Sequence, residues 1–201
     1  MKAAFITLGC KTNSYDTQAM MKILKDTGYT IVNFQDNADV YIINTCAVTN
    51  ISEAKSRQAI HKAVKNNPGA VVIAAGCYSQ LSPEDVINIH GVDAVVGIKD
   101  RHRLADIIQN ARIQKTMEVY PISDEHIFEH LSVDSFDDKT RAFIKIQEGC
   151  DNYCSYCIIP YARGPARSRN AEDIISEVKN IVASGHKEII LTGIHIASYG
   201  K

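Results

Sequence analysis

The chain has 201 residues, 45% of them hydrophobic and 22% charged, with a formal net charge of −1. That length is enough to bury one large core or two small ones, and the near-neutral balance excludes an overall electrostatic footprint for nucleic acid. The balance is uneven along the chain: residues 1–138 carry a net −4 and residues 139–201 a net +3, which predicts two different modules. No apolar run reaches the roughly 20 residues of a membrane span. The start MKAAFITLGC falls short of the roughly 15–30 residues of a secretion signal, so it reads as a strand and the six cysteines as thiols in a reducing, cytoplasmic setting.

Short apolar runs alternate with helical patterns from the first residue. AAFITL (3–8) predicts a strand; SYDTQAMMKILKDTG (14–28) predicts a helix with Ala19, Met20, Ile23 and Leu24 on one face and Gly28 at its end. YTIVNF (29–34) and VYIINT (40–45) read as strands. A helix over 52–66 turns Ala59, Ile60, Ala63 and Val64 inward, and AVVIAA (70–75) is the next strand. SPED (82–85) opens a helix with Ser82 as cap and Pro83 in first position. DAVVG (93–97) and a helix from Asp100 through Leu104, Ile107 and Ile108 complete a series that implies an open, mostly parallel α/β sheet over residues 1–120.

The acidic stretch 121–138 has no clean period and reads as a linker. A second module, 139–201, begins with the strand RAFIKIQ (141–147), continues through IIPYARGPARSR, and forms a helix over 171–184 capped by Asn170 and stopped by Gly185. The strand EIILTG (188–193) follows. One βαβ unit leaves a sheet edge and apolar faces without partners, so the expectation is an incomplete second domain in an amino-terminal fragment.

The cysteines fall into two trios. Cys10, Cys46 and Cys77 each close a strand, in ITLGC, INTC and AAGC, and ligand sites of open parallel sheets lie beyond such strand ends. The alternative is that each is a small core residue. Cys150, Cys154 and Cys157 form CxxxCxxC in CDNYCSYC. Structural zinc sites and simple iron–sulfur carriers use four protein ligands, so three thiols leave one metal position open unless a distant His126, His130 or His195 completes a zinc site.

Strand, CxxxCxxC loop, helix and strand together resemble the radical S-adenosylmethionine enzymes. With the dispersed amino-terminal trio, the stretches TLGCKTNSYDT, NTCAVT, AAGCYSQ, EGCDNYCSYCIIPYARGPARSR and LTGIHIASYG resemble the methylthiotransferases, which replace C–H by C–S–CH3. The second module is then the first βαβ unit of a partial (β/α) barrel. The resemblance implies two four-iron, four-sulfur clusters: Cys150, Cys154 and Cys157 hold the one whose open iron binds S-adenosylmethionine and cleaves it to a 5′-deoxyadenosyl radical. Cys10, Cys46 and Cys77 hold an auxiliary cluster that delivers sulfur.

By the same resemblance Tyr156 lies near the adenine of S-adenosylmethionine, with loop packing as its alternative, and Thr192 and Gly193 lie near the methionyl amine, although LTG stands where Gly-Gly-Glu is usual. Arg163, Arg167 and Arg169 read either as a loop facing a phosphate or the cofactor carboxylate or as a solvated basic loop. The implied substrate is threonylcarbamoyladenosine beside the tRNA anticodon, from Thr12 and His195. The alternatives are isopentenyladenosine in tRNA and a ribosomal-protein aspartate. A reductant such as flavodoxin and a sulfur source are implied partners, and the fragment alone is expected to be inactive. A non-catalytic iron–sulfur module and a zinc-stabilised binding domain are the readings of another class.

Overall fold

The structure, a computed structural model, describes residues 1–134, 136 and 140–201; positions 135, 137 and 138 of the expected linker and the first position of the expected second module, 139, lie outside the described residues. The chain divides into two compact units, residues 1–9 with 23–120 and residues 10–22 with 121–201.

The first unit is a six-stranded, wholly parallel sheet. Its strands are β1 (Lys2–Thr7), β2 (Thr30–Val32), β3 (Val40–Thr45), β4 (Val71–Gly76), β5 (Ala94–Val96) and β6 (Thr116–Glu118), in the order β2-β1-β3-β4-β5-β6. All residues of β3 and β4 are buried, as expected of central parallel strands whose sequences are continuous apolar runs. Helix α1 (Lys11–Asp26) starts three residues earlier than its periodicity predicted, directly after Cys10. Helix α2 (Asn50–Asn66) is capped by Thr49, whose side chain accepts from the Ser52 amide, and it buries Ala59, Ile60 and Ala63 as predicted.

Other boundaries differ from expectation. A short helix α3 (Cys77–Leu81) begins at Cys77 itself. Helix α4 (Pro83–Ile87) has Pro83 in its first turn, but Ser82 makes no side-chain cap bond, its backbone at φ −134° and ψ 55° being already committed to ending α3. A 3-10 turn over Arg101–Arg103 precedes α5 (Leu104–Ala111), whose Leu104, Ile107 and Ile108 are buried. Strand β6 carries no alternation or β-branched run and was invisible to periodicity; its backbone pairing with β5 creates it.

In the second unit, β7 (Arg141–Lys145) leads to β8 (Gln147–Glu148). Helix α6 (Ile159–Arg163), strand β9 (Arg167–Ser168), helix α7 (Ala171–Ala183) and strand β10 (Glu188–Thr192) follow. Strands β7 and β10 pair in parallel with α7 as crossover, the expected βαβ unit, and β8 pairs antiparallel with β9. Asn170 caps α7 through the Glu172 amide at 2.8 Å. Among the described residues of the stretch expected as a linker, Ile122, Phe128, Leu131, Val133 and Phe136 are all buried in this unit. These buried positions follow no regular period, so periodicity did not reveal them. Among the described residues no helix is long and apolar enough to cross a membrane.

Candidate functional site

In the first unit the strand order reverses at β1, which lies between β2 and β3. Open α/β sheets place ligands beyond the carboxyl ends of strands at such a switch point. Register pairs Thr7 with Asn44 and Thr45 with Gly76, so β1, β3 and β4 end side by side. Cys46 and Cys77 are each one residue past that edge, and both are buried. Gly76 makes the turn possible: at φ 97° it converts strand into helix within one residue, and a Cβ there would overlap the Asn44 side chain and the Thr45 carbonyl. Thr45 secures the start of α3, its hydroxyl donating to the Ala75 carbonyl at 2.6 Å and accepting from the Ser79 amide at 3.3 Å. The Cys46 amide donates to the Ser56 hydroxyl at 3.3 Å, which ties the β3 end to α2.

Cys10, exposed, begins the second unit and accepts through its carbonyl from the Ser14 amide at 3.1 Å in the first turn of α1. The other trio also lies here, on the loop after β8. The Cys150 amide donates to the Gly164 carbonyl at 3.0 Å, and the Cys157 amide to the Cys154 carbonyl at 2.9 Å. Gly149 has φ 73°, and a Cβ would collide with the Pro165 carbonyl, so only glycine lets the two chain segments close at the loop base. Beyond that base the loop opens: Cys154 is exposed, Cys150 and Cys157 are half-buried, and Tyr156 is 90% exposed. Tyr156 is thus not packed within the loop.

Thr192 pairs with Lys145 across β7 and β10 and is buried, while Gly193 lies where a Cβ would meet the Gln147 backbone oxygen at 3.0 Å. Gln147, which sequence reasoning missed, joins these pieces. Its amide nitrogen donates to the Glu148 and Gly149 carbonyls at 2.9 and 2.8 Å, and its oxygen accepts from the His195 amide at 2.7 Å. One buried side chain therefore links the cysteine loop to the end of β10.

The arginines depart from both expectations. Arg163, Arg167 and Arg169 are buried, so they form no solvated basic loop and no exposed anion site. Arg167 donates to the Arg163, Pro165 and Glu125 carbonyls at 2.9–3.1 Å, holding the loop backbone. Arg169 pairs with Glu177, which also accepts from the Tyr15 hydroxyl and from the Val133 amide. Burial and the adjacent Glu177 carboxylate push the Tyr15 phenol far above its ordinary range. The folded state therefore keeps this proton at a pH where the unfolded chain, at about 10, loses it, and stability falls as pH rises past that value. Tyr15→Phe is expected to cost about 1 kcal/mol at neutral pH and to flatten the alkaline decline, read from urea unfolding between about pH 7 and pH 11. An unchanged alkaline slope would contradict this account.

All six cysteines are described and none is in a disulfide. Among the described residues no group of three or more His, Cys, Asp or Glu side chains is arranged to hold a metal ion. Of the histidines named for a zinc site, His130 Nδ1 lies 3.3 Å from Asp173 and His195 Nδ1 lies 2.7 Å from the Ser198 hydroxyl. The donors on the loop after β8 are the soft thiol sulfurs of Cys150, Cys154 and Cys157, which suit an iron–sulfur cluster.

Comparison with known proteins gives two family matches: residues 2–97 fit the "Uncharacterized protein family UPF0004", and residues 144–200 fit the "Radical SAM superfamily". The threonylcarbamoyladenosine tRNA methylthiotransferase MtaB of Bacillus subtilis is 47% identical over 98% of this chain, and that of Aquifex aeolicus 41% over 100%. A tRNA-2-methylthio-N(6)-dimethylallyladenosine synthase of Staphylococcus haemolyticus is 40% identical over 97%. The chain spans 44%, 49% and 39% of the lengths of these relatives. Both cysteine-bearing regions lie inside these matches, and the chain belongs to the radical S-adenosylmethionine methylthiotransferase family.

Proposed function

We propose that the protein to which this chain belongs inserts a methylthio group into a modified adenosine of tRNA, and that the adenosine is threonylcarbamoyladenosine beside the anticodon. The observation that carries the reading is the CxxxCxxC trio on a loop anchored by Gly149, Gln147 and Arg167, together with Cys46 and Cys77 one residue past the ends of the paired strands β3 and β4. The similarity to relatives named for that nucleoside favours this substrate, as do Thr12 and His195. Isopentenyladenosine is the second reading, favoured by the 40% identity to a dimethylallyladenosine synthase.

In this proposal Cys150, Cys154 and Cys157 hold the cluster that binds S-adenosylmethionine, and Cys10, Cys46 and Cys77 hold an auxiliary cluster. When bound, the first cluster and S-adenosylmethionine supply the radical that removes the target hydrogen. The protein's own part is placement. Gly149 permits the close loop base, Gln147 aligns the end of β10 with it, and Thr192 and Gly193 are the candidate contacts for the methionyl amine, with Tyr156 for the adenine. Cytoplasmic tRNA, a reductant of the flavodoxin class and a sulfur source complete the requirements.

Anaerobic reconstitution with iron and sulfide, followed by electron paramagnetic resonance and a cofactor-cleavage assay, tests the reading. The expected result is a brown protein with reducible clusters that releases 5′-deoxyadenosine. A colourless protein with tightly bound zinc would overturn it. Residues 1–201 by themselves are expected to cleave the cofactor without multiple-turnover tRNA methylthiolation, because a two-stranded β7–β10 sheet does not enclose a radical. Sustained methylthiolation by this chain would refute that expectation.

A further inference from the structure

The second unit buries a charged cluster that no cluster-binding role absorbs. Lys145 Nζ donates to Asp16 Oδ1 at 2.6 Å and to Glu148 Oε2 at 2.8 Å. Arg163 donates to Glu148 and to Asn13 Oδ1, and it lies 3.5 Å from Asp16. All five residues are essentially without solvent exposure. Buried ion pairs are poor sources of net stability, since desolvation offsets most of their attraction and apolar residues of similar volume serve as well. What they supply is direction. A planar guanidinium fixes its acceptors in angle as well as distance, which a greasy contact does not.

The attachment points of this cluster are specific. Asn13 and Asp16 are on α1, three and six residues after Cys10; Glu148 is two residues before Cys150, and Lys145 ends β7, which leads into the same loop. Both cysteines belong to this unit. One guanidinium therefore grips the segment that carries Cys10 and the segment that carries Cys150. The geometry points to Arg163, with Asn13, Asp16, Lys145 and Glu148, as a positioning clamp that fixes the Cys10 thiol relative to the CxxxCxxC loop. Its functional meaning rests on the proposed roles of those cysteines: a thiol at the sulfur-delivering centre held at constant separation from the radical-generating loop.

The clamp can be read in the protein without clusters, independently of any activity. Cys10 and Cys154 are both exposed, so nitroxide labels on them in a full-length Cys150→Ser, Cys157→Ser background report their separation by pulsed electron resonance. A single narrow distance distribution is expected. Asn13→Ala removes one uncharged acceptor of Arg163 and should broaden that distribution roughly twofold with the circular dichroism spectrum unchanged, whereas Asn13→Gln, which keeps the amide oxygen without adding a buried charge, should restore the narrow form. Arg163→Gln should broaden it further, and if that variant unfolds the Asn13 pair still decides. A distribution that is broad in the parent, equally narrow in Asn13→Ala, or as broad in Asn13→Gln as in Asn13→Ala overturns the clamp. None of these results bears on whether clusters form, so failure of the clamp and failure of the proposed activity are separable.

Discussion

Replacing Cys150, Cys154 and Cys157 together with alanine is expected to remove about half of the reconstituted iron and to abolish cleavage of S-adenosylmethionine, because each proposed cluster depends on its own three thiolates. The cleavage loss should be complete, since no other thiolate lies on that loop to substitute. The fold should survive: the loop base is held by the Cys150 amide and the Gly164 carbonyl, by Gln147 and by Arg167, none of which uses a sulfur atom. The remaining iron, on the proposed site of Cys10, Cys46 and Cys77, should keep its own resonance spectrum. Loss of all iron from a variant that still folds would show that the trios do not bind separately. Retention of full cleavage would remove Cys150, Cys154 and Cys157 from the radical chemistry.

Lys145→Met should destabilise the chain by about 3–5 kcal/mol, a large share of the roughly 5–15 kcal/mol that holds a typical domain together. The lysine is wholly buried, with its ammonium between Asp16 and Glu148 and over the rings of Tyr15 and Phe128 at 5.6 and 5.4 Å. Methionine fills similar volume and keeps the contact with the rings, so the loss isolates charge rather than packing. It leaves two buried carboxylates to share the Arg163 guanidinium. Adding Asp16→Asn to Lys145→Met should recover part of the stability by removing one uncompensated charge. Urea unfolding of the three proteins gives the comparison. A Lys145→Met cost below about 1 kcal/mol would mean that the ammonium is not balancing these carboxylates.

The alternation of apolar strands with amphipathic helices was enough to place β1, β3, β4, α2, α5, α7 and β10 within a few residues, because the short apolar runs of the strands and the 3.6-residue period of the helices are written locally. The thiol spacing of Cys150, Cys154 and Cys157 was equally local, and so was the position of Cys10, Cys46 and Cys77 after their strands. A missed local signal was the glycine before three of the six cysteines: Gly9, Gly76 and Gly149 have φ 99°, 97° and 73°, the conformation that lets a strand stop abruptly at a thiol.

Tertiary structure decided the rest. Strand β6 exists through its pairing with β5, and Ile122, Phe128, Leu131, Val133 and Phe136 are buried where a linker was expected. The arginines of the loop after the cysteines looked basic and exposed because a charge in sequence does not name its partner. Arg163 meets Asp16 and Asn13 across separations of 147 and 150 residues, and Lys145 meets Asp16 across 129. Hydrophobic periodicity is a property of neighbours along the chain, whereas the neutralisation of a buried charge is settled only when distant segments meet. The sequence by itself therefore determined most of the strands and helices and which thiols follow them, and the fold alone decided the short pieces between them and which charges bind those segments together.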